Sequence, residues 1–173
     1  MLSIRTATAS DVALMLDFIL RLAEFEREPK GVVATEEDLI RHGFGPEPKY
    51  RCLIAEWDGA PAGFALFHYN FSTWRGQPGL YLEDLFVLLE MRGKGIGKAL
   101  LQRLAQIALE EKCYGLRWMV LEWNDPALKF YESLGAELLG EWETMLLRGE
   151  PLERLASSDV SEAVGNPKGS VKK

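Results

Sequence analysis

The chain has 173 residues, about the length of one domain, and its composition (47% hydrophobic, 27% charged, 16 Gly and 8 Pro) excludes a disordered or fibrous protein. Its net charge of -6 argues against a nucleic-acid-binding surface, which has to be basic. Two cysteines, Cys52 and Cys113, are too few for a disulfide scaffold or a four-ligand zinc site, so we expect no metal.

The first fifty residues predict one strand followed by two helices. The weak alternation of residues Leu2 to Thr8 indicates a strand, and Ser10 can cap a helix that begins at Asp11 and runs to about Glu26. The apolar residues of that helix recur at helical spacing, which predicts one buried face. The segment Thr35 to Asp38 has the form of a capping box and opens a short second helix that stops near Gly43.

A hairpin and a further strand follow. The Asp58-Gly59 pair is a two-residue turn signal between two predicted strands, Tyr50 to Trp57 and Ala62 to Phe71. Residues Ser72 to Pro78 are expected to form a loop. The apolar run Leu80 to Leu88 predicts the next strand, which only two acidic residues interrupt.

A glycine-rich turn, Arg92 to Gly97, joins this strand to a helix from about Lys98 to Lys112. The apolar run Leu116 to Trp123 then predicts another strand. Two strands joined through a helix in this way can lie side by side only in parallel, so the sheet should contain at least one parallel pair.

The carboxyl-terminal part predicts a short helix, one or two strands and a tail. Asn124 is a typical N-cap with Pro126 in the first turn, so the helix should cover Ala127 to Leu134. Residues Ala136 to Leu147 are predicted to form one or two strands. From residue 157 onward only four of seventeen residues are apolar, which indicates a flexible tail.

The order of elements predicts a single α/β domain over residues 1–156, with a mixed, mostly antiparallel sheet flanked by helices, and a tail over residues 157–173. No apolar stretch approaches about 18 residues, and the amino terminus has no apolar signal core. These absences predict a cytoplasmic protein without a membrane partner.

The glycine-rich turn is a candidate anion site. Gly93, Gly95 and Gly97 stand where the backbone N–H groups of a helix start have no partner, and a Cβ there would keep a phosphate from the backbone. The turn matches neither the dinucleotide pattern, which needs Gly at Lys98, nor the P-loop pattern, which needs Gly at Arg92. A tight turn before a solvated helix face is the alternative interpretation.

Charge is distributed unevenly along the chain. Residues 89–118 contain six basic and three acidic residues, whereas residues 1–60 contain eleven acidic and seven basic residues. This asymmetry predicts a polyanionic cofactor on one side of the site and a cationic substrate on the other.

The motif Arg92-x-x-Gly95-x-Gly97 resembles the cofactor-binding motif of the GCN5-related N-acetyltransferase family. The resemblance extends to three further segments, Leu82 to Val87, Trp123 to Pro126 and Phe130 to Ala136. These segments are similar to the branch of spermidine/spermine and thialysine N-acetyltransferases. The resemblance implies that two parallel strands of the sheet splay apart, and that the cosubstrate is acetyl-CoA, with no metal.

The resemblance implies direct transfer of an acetyl group to an amine. A lysine-like amine has a pKa of about 10.4 and cannot attack while protonated, so a base has to take its proton. In this branch a strand glutamate acts through water, which implies Glu83 as base and Asp84 as an auxiliary. Adjacent strand residues point to opposite faces, so both acids can line one pocket only if a bulge rotates one. Tyr131 is implied as the general acid.

The resemblance also implies how the cofactor is held. Backbone N–H groups after Glu83, near Phe86, are expected to stabilise an oxyanion, Asn124 to contact the pantetheine arm, and the glycine turn to hold the pyrophosphate. The expected acetyl-CoA contacts are Leu85, Phe86, Val87, Arg92, Gly93, Lys94, Gly95, Ile96, Gly97, Lys98, Asn124 and Tyr131.

Each of these roles has a structural alternative. Glu83 could form an ordinary ion pair, Tyr131 could be a core residue with its hydroxyl at the rim, and Asn124 is by itself an ordinary N-cap. Neither His42 nor His68 has a partner pattern around it, and a general-base role for His68 is an alternative to Glu83.

The acceptor amine is expected near the end of the first helix, where three acids, Glu24, Glu26 and Glu28, could attract a cation or could form a solvated patch. The expected substrate contacts are Glu24, Glu28, Trp74, Glu83 and Asp84. Polyamine enzymes have an acid two positions before the tryptophan, where Ser72 stands here. A hydroxyl lacks the long-range attraction of a carboxylate for a second ammonium group, which argues against efficient spermidine acetylation.

The sequence thus predicts acetyl-CoA-dependent N-acetylation of a small cationic metabolite, either a thialysine- or lysine-like amine or a polyamine. Two alternatives are a non-catalytic acyl-CoA sensor or scaffold, and acetylation of a protein lysine or amino terminus. The resemblance also implies a homodimer with the Trp142 region near its interface, and no nucleic-acid partner.

Overall fold

Five strands form one sheet, and their order in space is their order in the chain. The computed structural model describes residues 1–140 and 143–158. The strands are β1 (Leu2–Thr6), β2 (Arg51–Trp57), β3 (Ala60–Ser72), β4 (Gln77–Val87) and β5 (Leu116–Trp118). The helices are α1 (Val12–Phe25), α2 (Glu36–Phe44), α3 (Ile96–Glu110), α4 (Asp125–Ser133) and α5 (Glu150–Ser157).

The pairing of the strands confirms the predicted mixed sheet. Strands β1 to β4 pair antiparallel with their neighbours, and β5 pairs parallel to β4. The predicted turn joins β2 to β3, and both of its residues, Asp58 and Gly59, have the positive φ (51° and 80°) that a tight hairpin needs. Helix α3 connects β4 to β5 and so provides the crossover of the parallel pair.

The chain divides into two compact units, Met1–Trp123 and Asn124–Lys173. The first contains the sheet with α1, α2 and α3, and the second contains α4 and α5. Within the described residues, no helix combines the length and the apolar character that a membrane crossing requires.

Helices α1 and α3 pack against opposite faces of the sheet. The core on the α1 face consists of Ala7, Met15, Phe18, Cys52, Ile54, Phe64, Leu66 and Phe86. The ring of Phe18 lies 5.5 Å from that of Phe64 and 5.9 Å from that of Phe86, between centroids. Because neighbouring strand residues alternate between faces, buried residues such as Leu53 and Phe67 point toward α3, whose own buried residues are Ile96, Leu100, Leu101, Leu104, Ile107 and Ala108.

The start of α1 differs from the prediction. Arg5 of β1 donates to both carboxylate oxygens of Asp11 at 2.7 and 2.8 Å and to Glu56 of β2 at 2.7 Å. Thr8 donates to the same Asp11 carboxylate from its N–H at 2.7 Å and from its hydroxyl at 2.9 Å. Together these donors, the guanidinium first, hold the pKa of Asp11 well below its usual range. The predicted Ser10 cap is therefore wrong, because Thr8 and Asp11 cap this end.

The starts of α2 and α4 confirm the predicted caps. Asp38 N–H donates to the Thr35 hydroxyl at 3.2 Å, and that hydroxyl donates to the Asp38 carboxylate at 2.6 Å. Ala127 N–H donates to the Asn124 side-chain oxygen at 3.3 Å. Side-chain caps are local interactions, which is why the sequence predicts them correctly.

The carboxyl-terminal predictions are partly wrong. Strand β5 covers only three residues of the predicted run Leu116 to Trp123, and residues 136–140 and 143–147 form no strand. An alternating apolar pattern cannot specify the neighbour that a strand must pair with. Helix α5, with Pro151 and acidic residues in its first turn, occupies a segment for which no element was predicted. The predicted tail lies outside the described residues from residue 159 onward.

Truncation of Phe18 is expected to destabilise the fold strongly. Phe18→Ala removes a fully buried ring that contacts two other aromatic rings, so the free energy of unfolding should fall by about 3–5 kcal/mol in urea titrations. Leu20→Ala on the same helix removes a side chain that is 42% exposed and should change it by less than about 0.5 kcal/mol. Equal losses in the two variants would contradict the assignment of the buried face.

Candidate active site

A one-residue β-bulge interrupts the pairing of β3 with β4 at Glu83. Leu66 is opposite Asp84 and Phe67 is opposite Leu82, so Glu83 is the extra residue of β4. An extra residue changes the phase of side-chain alternation along the strand. Leu82, before the bulge, therefore shares the α3 face with Phe67, whereas Asp84, after it, shares the α1 face with Leu66.

The bulge turns two neighbouring carboxylates to the same face. Glu83 follows Leu82 and points to the α1 face by ordinary alternation, and the bulge brings Asp84 to that face as well. This is the one circumstance in which adjacent acids of a strand can line one pocket.

A third acid, Glu26, lies at the end of α1 near this pair. Burial first, and then the negative charges of Glu83 and Glu26, raise the pKa of Asp84 to about 6. Burial also raises the pKa of Glu26. We refer to Glu26, Glu83 and Asp84 as the carboxylate cluster. Its concentrated negative charge favours a cationic ligand on the α1 face of the sheet.

His68 of β3 contacts the carboxylate cluster. Its Nε2 lies 3.4 Å from Oε2 of Glu83. Its ring stacks on that of Tyr81, its cross-strand partner, at a centroid distance of 5.0 Å and an interplanar angle of 30°. The pKa of Tyr81 is raised by burial and by the nearby Glu83 charge.

Past the bulge, one side of β4 has no strand partner among the described residues. The ladder with β5 covers only Leu80–Leu82 of β4. On the other side, Leu88 N–H donates to the carbonyl of Ala62 at 3.0 Å and so faces β3. Because antiparallel residues alternate between facing their partner and facing away, the N–H groups of Leu85 and Val87 point to the open side.

The same alternation directs the N–H of Phe86 toward β3, and its ring belongs to the core. Backbone donors for an acyl oxygen are therefore available at Leu85 and Val87 rather than at Phe86. The side chain of Arg92 supports this orientation, since its Nε donates to the carbonyl of Val87 at 3.2 Å.

The turn between β4 and α3 presents further backbone donors. Gly93 and Gly95 have φ of 77° and 82°, a conformation that side chains with a Cβ rarely adopt. With Gly95 as N-cap, α3 begins at Ile96, two residues before its predicted start. Ala99 N–H donates to the Gly95 carbonyl at 3.0 Å, so the N–H groups of residues 96–98 have no partner within the helix. Such unpartnered N–H groups, together with the helix dipole, favour an anion at this position.

Two cations of the turn lie over aromatic rings. The guanidinium carbon of Arg92 is 4.4 Å from the centroid of the Phe25 ring, and Nζ of Lys94 is 5.4 Å from that of Trp57. Burial lowers the pKa of Arg92, although an arginine remains a cation at neutral pH. The turn is thus positive and the carboxylate cluster is negative, in agreement with the asymmetry predicted from the sequence.

A cavity of about 260 Å³ lies between the end of α1 and the end of β4. Its lining residues are Arg21, Glu24, Phe25, Phe86, Leu88, Leu89 and Glu90. Of the acids expected at the acceptor site, Glu24 lines this cavity, and Glu28 is exposed in the segment after α1.

The structure does not bring Trp74 to the carboxylate cluster. Trp74 is 90% exposed in the turn between β3 and β4, and the strand end at Ser72 lies four residue pairs beyond His68, or about 13 Å along the strand. The hydroxyl of Ser72 accepts a hydrogen bond from Arg75 N–H at 3.2 Å. The Ser72 side chain therefore stabilises the turn between β3 and β4.

The second unit contains the other two expected site residues, both on or next to α4. Asn124 caps the helix through its side chain. Tyr131 is half-buried in the last turn, with its ring 5.3 Å from that of Phe130. The pantetheine contact of Asn124 and the acid role of Tyr131 stay predictions.

Neither His68 nor Glu26 was among the expected site residues, although His68 was considered as an alternative base to Glu83. His68 meets Glu83 only through the register of β3 and β4, which the sequence does not specify. Glu26 was grouped with Glu24 and Glu28 as an acidic patch, and only the packing of α1 distinguishes it from them. Its position at the predicted end of the first helix was the available signal.

Comparison with known proteins agrees with this geometry. The profile described as "Acetyltransferase (GNAT) family" matches residues 17–136. The chain is 39% identical to a thialysine N-epsilon-acetyltransferase of Bos taurus over 164 residues, which cover 88% of this chain and 96% of that protein. It is 37% identical to the L-ornithine N5-acetyltransferase NATA1 of Arabidopsis thaliana, with 91% and 89% covered.

A solved structure also has the same fold. An integron cassette protein from the mobile metagenome of V. cholerae superposes with a TM-score of 0.75 at 31% identity, over 91% of this chain and 98% of that one. The match confirms the predicted fold class.

The raised pKa of Asp84 predicts that Asp84→Asn stabilises the protein at pH 7. The folded-state pKa of about 6 exceeds the ordinary aspartate value of about 3.9, so wild-type stability should fall as pH rises through this window. The substitution should raise the free energy of unfolding by about 2 kcal/mol at pH 7 and leave it unchanged near pH 4, as measured by urea unfolding.

The matched control is Asp17→Asn, which replaces an exposed acid of α1 and should change stability by less than about 0.5 kcal/mol at both pH values. The same stability for Asp84→Asn and wild type at pH 7 would contradict the burial of a charged Asp84.

Proposed function

This chain belongs to the acetyltransferase (GNAT) family, and we propose that it transfers an acetyl group from acetyl-CoA to the terminal amine of a small cationic metabolite. The observation that supports this most directly is the bulge at Glu83. It turns Glu83 and Asp84 to one face beside the open side of β4, the strand that leads to a glycine turn with unpaired backbone donors. An amine acceptor and a polyanionic donor need these two environments side by side.

The residues of the turn and of β4 fit acetyl-CoA. Its pyrophosphate suits the N–H groups of residues 96–98 and the cations Arg92 and Lys94. Its pantetheine amides and acyl oxygen suit the outward N–H groups of Leu85 and Val87. When bound, acetyl-CoA supplies an activated acyl group that an unprotonated amine can attack. The proposed phosphate site also includes Gly93, Ile96, Gly97 and Lys98.

Glu83 is proposed as the base. Its side chain is 54% exposed, so a water molecule can reach the carboxylate and relay the proton of the incoming ammonium group. Asp84 is the auxiliary. It is more buried, and its charge, with that of Glu26, attracts the cationic acceptor.

The two cysteines favour transfer without a covalent enzyme intermediate. Burial raises the pKa of the Cys52 thiol far above its ordinary value, and burial also raises that of Cys113. A thiol is nucleophilic as the thiolate, so neither cysteine is activated. Direct attack of the amine is therefore the proposed route, with Tyr131 as the acid that returns a proton to the leaving thiolate.

Among amines, we propose α,ω-diamino acids of the lysine type as preferred acceptors. The similar proteins named for thialysine and L-ornithine point to this class. Ser72 gives no negative charge at the position where polyamine enzymes have an acid, and its hydroxyl accepts the Arg75 N–H. The homodimer expected from the resemblance stays a prediction, and the Trp142 region lies outside the described residues.

An amine panel tests the proposed function. Release of free thiol from acetyl-CoA should be stimulated by thialysine, lysine or ornithine more than by spermidine or by a peptide with a free amino terminus. Because the missing charge is the proposed reason, Ser72→Asp should raise kcat/KM for spermidine relative to thialysine. Binding of acetyl-CoA without thiol release for any amine would instead favour a sensor.

Substitution of Tyr131 tests the proposed acid. Tyr131→Phe keeps the ring and removes the proton donor, so kcat should fall by about 100-fold while calorimetry shows unchanged coenzyme A affinity. Tyr114→Phe, just before β5, is the matched control and should leave kcat unchanged. Wild-type turnover in Tyr131→Phe would remove this residue from the mechanism.

A further inference from the structure

His68 and Glu83 are neighbours on the α1 face of the sheet. His68 is opposite Tyr81 in the β3–β4 ladder, and Glu83 is two residues further along β4, at the bulge. The imidazole Nε2 lies 3.4 Å from Glu83 Oε2, and both side chains are partly exposed, at 36% and 54%. The contact therefore lies at the entrance to the carboxylate cluster.

The imidazole is held in place more firmly than the carboxylate. It stacks on Tyr81 at 5.0 Å and 30°, so the direction of its Nε2 is set by the strand pairing. Glu83 has three rotatable side-chain bonds and sits on a bulged backbone. The negative charge of Asp84 repels it, and His68, at 3.4 Å, is the one basic side chain beside its carboxylate in the part of the chain that the structure describes.

We propose that His68 is a positioning residue for Glu83. The Nε2–H of His68 holds Oε2, which leaves Oε1 directed at the water that relays the acceptor proton. This inference rests on the proposed role of Glu83 as base. It assigns to His68 no proton transfer of its own, which distinguishes it from a histidine base.

A positioning role of His68 has measurable consequences for kcat and KM. Since positioning affects the proton transfer and not the affinity for the acceptor, loss of the Nε2–H should lower kcat and leave KM nearly unchanged. A side chain that returns an N–H to the same place should rescue kcat. A substitution at His68 should have no further effect once Glu83 can no longer act as a base.

Two substitutions at His68 separate the N–H from the ring. His68→Phe keeps an aromatic ring to stack on Tyr81 but has no donor, and we expect kcat for thialysine to fall about tenfold, in the range of a lost hydrogen bond to a charged group. His68→Gln has no ring but an amide N–H at similar reach, and kcat should stay within about threefold of wild type. His42→Gln, on α2, is the histidine control and should leave kcat and KM unchanged.

A double-mutant cycle with Glu83→Gln decides whether His68 acts through Glu83 or independently of it. Glu83→Gln alone should lower kcat, with partial recovery as pH rises and more of the amine is unprotonated. Adding His68→Phe to Glu83→Gln should cause no further loss. If the two losses multiply instead, His68 acts independently of Glu83 and the inference is overturned, whereas the proposed function stands.

The failure of the proposed base has a different signature. Wild-type turnover in Glu83→Gln by itself would show that Glu83 is not the base. That result would overturn both the base role of Glu83 and the positioning role of His68. Should His68→Phe fail to fold, Tyr81→Leu replaces it in the cycle. Tyr81→Leu removes the stacking partner of His68, so the imidazole N–H is kept but its orientation is no longer fixed. The same non-additivity with Glu83→Gln is then expected, and additive losses again overturn the inference.

Discussion

One extra residue in β4 determines the chemistry of this sheet. The bulge at Glu83 changes the phase of both side chains and backbone groups. Before it, the N–H of Leu80 donates to the carbonyl of Gly115 at 3.0 Å and so faces β5. After it, the outward N–H groups belong to Leu85 and Val87, and β5 no longer accompanies the strand. The same change turns Asp84 to the face of Glu83, so the outward backbone donors and the paired acids have a common origin.

Opposite charges are kept apart along the same strand. The carboxylate cluster lies at the bulge, and the glycine turn with Arg92 and Lys94 follows the end of β4. This separation of charge is what the proposed function requires of a site for a cationic amine and a polyanionic cofactor. Aromatic rings lie over the two cations of the turn, Arg92 and Lys94.

Local signals explain what was predicted correctly. The caps at Thr35 and Asn124 and the hairpin at Asp58-Gly59 depend on neighbouring residues only. Non-local pairing explains the errors in the strands. The three-residue length of β5 and the absence of strand in residues 136–140 and 143–147 depend on partners distant in the chain, which local preferences cannot encode. The error at the start of α1 is a local one, because the Thr8–Asp11 pair forms the cap in place of the nearby Ser10.

The sequence by itself determined the acetyltransferase family and the glycine turn, because the motif around Arg92 and Gly95 is contiguous and both Gly93 and Gly95 have the positive φ that favours glycine. Only the tertiary structure decided that Glu83 and Asp84 share a face, that Glu26 joins them, and that His68 contacts Glu83. The physical reason is register. A shift of one residue between β3 and β4 moves side chains to the opposite face, and the long-range packing of the sheet, not local preference, selects it.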